Sequence, residues 1–146
     1  MEFQQYLSFL QELCRELDAL NSVQNRKIAA IQAGNLETVE ACMKQEQAAA
    51  LSLRGRERHR QELLRALGLE QVSLRDLPQH CPPQDRAQTA DLVQQVLRSY
   101  QVLSSAQQAS RTLMESKLRH IQQELDRREA AQPVPADGKA QTDFRA

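Results

Sequence analysis

Apolar side chains recur at steps of three and four residues along three long stretches, and this spacing constrains the fold more than any other feature. In the first stretch Leu13, Leu20 and Val23 widen a stripe made of Phe3, Leu7, Leu10, Cys14, Leu17, Ile28 and Ile31. Such a step is the period of an α-helix with one buried face, and it excludes the two-residue alternation of a strand. The sequence therefore predicts an all-α protein.

The first helix is predicted to run from about Glu2 to Ala33, because Gly34 stands where a helix ends and Asn35 is a good N-cap for the next one. A connection this short requires the second helix to fold back antiparallel beside the first. These two helices should form an antiparallel coiled-coil hairpin.

The second helix is predicted to start near Leu36 and to end before Gly68, with Gly55 tolerated inside it. Its stripe consists of Val39, Cys42, Met43, Ala49, Ala50, Leu53, Leu63, Leu64 and Leu67, following Leu36. Residues 69–84 form a connector, in which residues 73–77 suggest one helical turn that ends before Pro78.

The third helix is predicted to begin at residues 83–85 and to continue for about 45 residues without a breaker until Pro133. Its stripe is Leu92 or Val93, Val96, Leu97, Tyr100, Leu103, Leu113, Met114, Leu118, Ile121 and Leu125. Residues 131–146 lack periodicity and are expected to be a disordered tail, which leaves residues 1–130 as a single helical-bundle domain.

The expected architecture is an elongated up-down-up bundle of three long helices, in which the third helix is longer than the hairpin beside it. An overhanging apolar stripe requires a partner protein, a second copy of the chain or local disorder. Polar residues interrupt the stripes at Asn21, Gln24, Gln107 and Ser110. They either set the register of the helices or mark a loose region that a guest can remodel.

Composition narrows the possible functions. The 19 basic and 19 acidic residues cancel, which argues against a nucleic-acid binder and against attraction to anionic membranes. No stretch approaches the ~20 apolar residues of a membrane span, and the N-terminus does not resemble a signal peptide. Cys14, Cys42 and Cys81 are odd in number and widely spaced, so we expect reduced thiols in a cytoplasmic protein.

No catalytic or metal-binding motif is evident. His59, His80 and His120 lack the spacing of zinc ligands, and the residues after His59 and His120 do not match a phosphoryl-accepting histidine. No glycine-rich loop or nucleophile context is present. The basic run at residues 54–60 is best interpreted as a solvated face tempered by Glu57. We therefore expect a protein that is not an enzyme and that needs no cofactor.

The chain resembles the FlgN family of flagellar export chaperones over about residues 3–128. The end of the first helix, Lys27-Ile28-Ala29-Ala30-Ile31-Gln32-Ala33-Gly34-Asn35-Leu36, is similar to the family's lysine-containing helix end and its Gly-Asp/Asn-Leu turn. The segment Arg60-Gln61-Glu62-Leu63-Leu64-Arg65-Ala66-Leu67-Gly68 looks like the family's Arg-x-x-Leu-Leu-x-x-Leu-Gly ending. A connector with Leu74 and Leu77 and a long final helix complete the likeness.

The resemblance implies a cytosolic chaperone that binds the C-terminal segments of the hook–filament junction proteins FlgK and FlgL and delivers them to the export apparatus. The matching client-binding positions are Leu113, Met114, Leu118, Ile121 and Leu125. An amphipathic client helix could pack on such a stripe. The alternatives are a FliT-like chaperone for the filament cap, disfavoured by chain length, and a structural coiled-coil adaptor or scaffold without a client. Weak homo-oligomerisation is compatible with a chaperone and with a scaffold.

Overall fold

The computed structural model describes residues 2–131 and consists of three long α-helices. These are α1 (Phe3–Ala33), α2 (Leu36–Ala66) and α3 (Arg86–Ala131), and no strand occurs in the described range. Two 3₁₀ helices, Leu77–Gln79 and Pro83–Asp85, lie between α2 and α3. The all-α fold with three long helices is confirmed, with the ends of α1 and α2 within about one residue of those predicted and the ends of α3 within about three. The predicted tail lies outside the described residues, except for Ala131, which ends α3.

The turn between α1 and α2 has the capping chemistry that the sequence predicts. Gly34 adopts a left-handed conformation with φ 72°, which a residue without a Cβ reaches at low cost. The amide of Asn35 donates back to the Ala30 carbonyl at 2.9 Å, and the Asn35 side chain accepts from the Thr38 amide at 3.2 Å. One residue thus closes the first helix through its backbone and caps the second through its side chain.

The end of α2 repeats this pattern, but the connector differs from the prediction. Gly68 is left-handed, and the Leu69 amide donates to the Leu64 carbonyl at 2.8 Å. The predicted turn at residues 73–77 is present, with the Asp76 amide donating to the Ser73 carbonyl at 3.1 Å and the Leu77 amide to the Leu74 carbonyl at 3.3 Å. It does not end before Pro78, because a 3₁₀ helix begins at Leu77 and includes this proline. Proline is tolerated there because the first turn of a helix needs no backbone donor.

Helix α1 is the centre of the bundle and α2 runs antiparallel beside it. The buried apolar residues of α1 form a broad face and include two aromatics, Tyr6 and Phe9, that its three- and four-residue stripe did not select. Up to Leu20 the buried apolar residues are Phe3, Tyr6, Leu7, Phe9, Leu10, Leu13, Cys14, Leu17 and Leu20. In the antiparallel pair Gln24 donates to Glu46, and further along Arg56 reaches Glu12 at 3.1 Å. By contrast, α2 buries only Val39, Cys42 and Leu64.

The first part of α3 runs parallel to α1 and completes the core. Gln4 donates to Asp85 at 2.6 Å, and the Ser99 hydroxyl donates to Asp18 at 3.0 Å, so both contacts join residues 81 positions apart. Two parallel helices require a constant difference in residue number between the positions that contact each other. Leu92, Val93, Val96 and Leu103 join α1 in one apolar core together with Leu77 and Cys81 of the connector. The up-down-up order is therefore present, and the hairpin shares its core with α3.

The polar interruptions of the stripes divide into buried and exposed positions. Gln24 and Ser110 are buried, whereas Gln107 is exposed. Asn21 donates weakly to the Ser99 carbonyl at 3.4 Å and so links α1 to α3. Within the described range, Gln24 Oε1 and Ser110 Oγ have no hydrogen-bond partner. A buried polar atom without a hydrogen-bond partner costs stability. Hydrogen bonding is therefore incomplete at the end of the core that contains Gln24 and Ser110.

The basic run at residues 54–60 contributes to helix packing, which corrects its interpretation as a solvated face. Arg56 bonds to both Glu12 and Glu16 of α1. Arg60 bonds to Glu57 at 2.8 and 3.0 Å. Arg54 and Arg58 are exposed, as the sequence predicts. A helix wheel alone does not reveal which arginine faces acidic residues on the neighbouring helix.

Several residues assigned to the buried stripes are exposed. Leu36, Met43 and Tyr100 were expected to face the core, and each leaves 40% or more of its surface open to solvent. Leu36 is the first residue of α2, and Met43 lies on a helix that buries few of its side chains. Spacing identified the helices correctly but overestimated the width of the buried face of α2.

The chain divides into two compact units. The first is Met1–Arg111, and the second begins at Thr112, of which residues 112–131 are described. The predicted single domain over residues 1–130 stays a prediction. None of the helices in the described part is long and apolar enough to cross a bilayer.

Candidate partner-binding surface

The described part of the second unit is the C-terminal part of α3, and it carries all five of the predicted client-binding residues. Leu118, Ile121 and Leu125 expose 64%, 55% and 48% of their surfaces. Leu113 and Met114 are half-buried. No Gly or Pro lies between residues 112 and 131, so local propensity supports a continuous helix through the segment.

Four of these five residues share one face of the helix. At about 100° per residue, Met114, Leu118, Ile121 and Leu125 fall within about 60° of one another around the axis. Leu113 lies about 80° to 140° away from each of them and so belongs to a different face. We call the four residues the C-terminal stripe. The structure brings them together and does not bring Leu113 with them.

Charged side chains border the C-terminal stripe. Glu124 pairs with Arg127 and with Arg128, the latter at 3.6 Å, and Gln122 donates to Asp126 at 3.0 Å. Within the described range Lys117 has no ion-pair partner. Exposed pairs of this kind add little stability, so they can rearrange when a partner approaches.

The chemistry of the C-terminal stripe is that of apolar contact. Burying a leucine or isoleucine side chain that is otherwise exposed contributes about 1.5–3 kcal/mol. Residues at three- and four-residue spacing on one helix match the apolar face of a second amphipathic helix. Met114 can adapt its shape to more than one partner because its side chain is unbranched and flexible.

Titratable groups outside the C-terminal stripe take part in packing and hydrogen bonding. The His59 ring contacts the Phe9 ring edge-on at 5.5 Å between centroids. Burial, with a smaller effect from Asp18, raises the pKa of the Cys14 thiol, so this thiol stays protonated at neutral pH and is a poor nucleophile. Hydrogen bonding to Arg60 lowers the pKa of Glu57. No group of three His, Cys, Asp or Glu residues within 2–131 is arranged to hold a metal ion.

Two exposed apolar residues of the first unit lie outside the stripes predicted from spacing. Leu51 exposes 67% of its surface on α2, and Val102 is about half exposed on α3. Each stands apart from the buried positions around it, and single exposed apolar residues are ordinary on protein surfaces. No spacing signal in the sequence distinguishes them from solvent-facing positions.

Comparison with known proteins agrees with the family resemblance. The family model described as FlgN protein matches residues 1–129, which covers all three helices almost to the end of α3. No curated protein and no solved structure gives a significant match. The match includes the hairpin with its Gly34-Asn35 turn, the connector and the C-terminal stripe. The chain belongs to the FlgN family of flagellar export chaperones.

Proposed function

We propose that this protein is a cytoplasmic, non-catalytic chaperone that binds the C-terminal segments of the hook–filament junction proteins FlgK and FlgL. It would keep these clients unassembled until they reach the flagellar type III export apparatus. Family membership supports the general role. The observation that carries the binding site is the C-terminal stripe, which presents three strongly exposed apolar residues on a helix.

A client segment that forms an amphipathic helix would pack its apolar face on the C-terminal stripe. Leu118 and Ile121 stand at the centre of the stripe, with Met114 and Leu125 one turn beyond on either side. Central, desolvated positions contribute most to the affinity of an interface. Leu113 faces elsewhere, and in this proposal it contributes less to binding than the other four residues.

The test is a binding titration of the full chain with labelled C-terminal segments of FlgK and FlgL from the same genome, followed by fluorescence anisotropy. The double variant Leu118→Asp/Ile121→Asp should weaken binding by about 100-fold or more, since two buried apolar contacts are replaced by charges. Leu51→Asp is the matched control, because Leu51 is equally exposed but lies in the first unit.

Binding of either segment that the double variant abolishes and Leu51→Asp retains supports the proposal. Absence of binding to both segments contradicts the client assignment. Equal binding by all three proteins contradicts the site assignment. Circular dichroism of each variant establishes that the helices are intact.

A further inference from the structure

The C-terminal stripe is flanked by two borders that differ in charge. Its four residues follow steps of four, three and four, which is the d, a, d and a spacing of a coiled-coil seam: Met114, Leu118, Ile121 and Leu125. In such a seam the residues at the e and g positions lie on either side of the apolar contacts and decide which partner helix fits. The charges of the two borders therefore indicate what kind of client helix the stripe accepts.

One border is acidic. Its e positions are Glu115, Gln122 and Glu129, and we call these three residues the acidic border. Both glutamates are exposed, and the side chain of Gln122 donates to the Asp126 carboxylate at 3.0 Å, just outside the border. A helix that packs on the C-terminal stripe therefore meets negative charge along this whole side.

The other border keeps an excess of positive charge. Lys117 occupies its first g position, and in the described part of the chain this ammonium has no ion-pair partner. Glu124 occupies the next g position, but Arg127 and Arg128 both pair with its one carboxylate. Arg128 lies about 50° from the centre of the stripe, on the same side as Lys117. We call Lys117, Glu124 and Arg128 the basic border.

We propose that the C-terminal stripe selects client helices that carry one basic and one acidic border of their own. The client's apolar residues pack on the stripe, its basic side chains face the acidic border, and its acidic side chains face Lys117. This inference rests on the proposed function, because it takes the stripe as the client-binding surface. A helix with two borders of like charge is repelled along one side and is therefore rejected.

The two borders also set the direction of the client helix, because turning a helix end for end exchanges the sides on which its e and g residues lie. A client with basic g and acidic e positions fits parallel to α3, since g residues face the e residues of a parallel partner. A client with these charges exchanged fits antiparallel, since e then faces e and g faces g. Apolar contact alone does not distinguish the two directions.

The selection is modest because the borders are exposed to solvent. An exposed ion pair changes an equilibrium constant by up to about fivefold, and salt screens it. Apolar contacts of residues such as Leu118 and Ile121 supply most of the affinity, whereas the borders decide between helices that are equally apolar. High ionic strength should therefore remove the selection and leave the binding.

Four synthetic peptides with the same leucine seam test the proposal on the full chain by fluorescence anisotropy. The g-basic peptide has Lys at g and Glu at e, the e-basic peptide has these exchanged, and the other two carry only Glu or only Lys at both positions. At about 10 mM salt the g-basic and e-basic peptides should each bind about fivefold or more tightly than the all-Glu and all-Lys peptides. At about 1 M salt the four dissociation constants should agree within about twofold.

Reversing the charge of Lys117 tests the basic border itself. In Lys117→Glu the all-Lys peptide should bind at least as tightly as the g-basic peptide, because neither side of the stripe then favours a carboxylate. Arg119→Glu is the matched control: it makes the same charge change about 130° from the centre of the stripe and should leave the order of affinities unchanged. An unchanged order in Lys117→Glu overturns the proposal.

A spin label at the N-terminus of each peptide measures direction by nuclear magnetic resonance. The label on the g-basic peptide should broaden the amide signals near Met114, and the label on the e-basic peptide those near Leu125. Broadening at the same end by both peptides overturns the assigned direction. Equal binding of all four peptides that Leu118→Asp/Ile121→Asp abolishes overturns only the charge selection, whereas failure of all four to bind contradicts the proposed client-binding surface as well.

Discussion

At the scale of single residues, the neighbouring helix decides what a charged side chain does. Arg56 and Arg58 belong to the same basic run, yet Arg56 bridges Glu12 and Glu16 of α1 while Arg58 is exposed. The two arginines are alike in sequence context. Their difference arises from the angle at which each leaves α2.

Replacement of Arg56 by alanine should therefore lower the free energy of unfolding by about 1 kcal/mol, since two partly screened ion pairs are lost. Arg58→Ala removes the same charge without a partner on α1, and we expect a change below about 0.3 kcal/mol. Urea denaturation followed by circular dichroism measures both. Equal effects of the two replacements would show that the bridge to α1 contributes nothing.

Tyr6 is the other residue whose environment sets a measurable property. Burial raises the pKa of Tyr6 above 10, and the Arg60 guanidinium offsets part of the effect. The folded state thus holds this proton more tightly than the unfolded chain does. The stabilisation is fully present below about pH 10, where the unfolded tyrosine titrates, and is lost as the pH rises through the higher folded pKa.

Tyr6→Phe should flatten the alkaline decline in stability above about pH 10, by up to about 1.4 kcal/mol per pH unit. Tyr100→Phe is the comparison, because burial also raises the pKa of Tyr100 but this ring is partly exposed, so its effect should be smaller. Unfolding curves at several pH values give the slopes. Identical slopes for the original chain and Tyr6→Phe would contradict the argument.

At the scale of the elements, breakers and caps define the helices. Gly34 and Gly68 both adopt φ 72° at helix ends, whereas Gly55 lies inside α2 without interrupting it. Space does not distinguish them, because an added Cβ would meet no atom within 4 Å at any of the three. Backbone conformation distinguishes them, because Gly34 and Gly68 have a positive φ.

Gly34→Ala should lower the free energy of unfolding by about 1 kcal/mol, because an alanine is strained in the left-handed conformation. Gly55→Ala should raise it by about 0.5–1 kcal/mol, since alanine favours a helix interior and the position is open. Thermal unfolding of the two variants measures the opposite signs. A loss of stability in both would mean that α2 requires a glycine at position 55.

The same contrast explains what the sequence could predict. Helix spacing together with Gly34, Asn35 and Gly68 located the three helices, because these signals are local. The exposure of Leu36 and Met43 and the bridge from Arg56 depend on which helix packs where, and spacing carries no such information. The client-binding positions were predicted as a set of five, and helix geometry separates Leu113 from the four residues of the C-terminal stripe.

At the scale of the whole molecule, the two units differ in how they satisfy their apolar residues. The first unit packs α2, the connector and the first part of α3 on the apolar face of α1, and buries a continuous core. The described part of the second unit contains no fully buried side chain, and Leu118, Ile121 and Leu125 are exposed. We propose that a protein client covers this surface.

Amide hydrogen exchange of the full chain, with and without the FlgK or FlgL C-terminal segment, tests that claim most directly. Exchange reports local opening residue by residue, and amides protected by a bound partner exchange more slowly. We predict slower exchange throughout residues 114–125 on addition of the client, with residues 36–50 of α2 unchanged. Protection confined to the first unit, or no change in residues 114–125 at saturating client, would contradict the account.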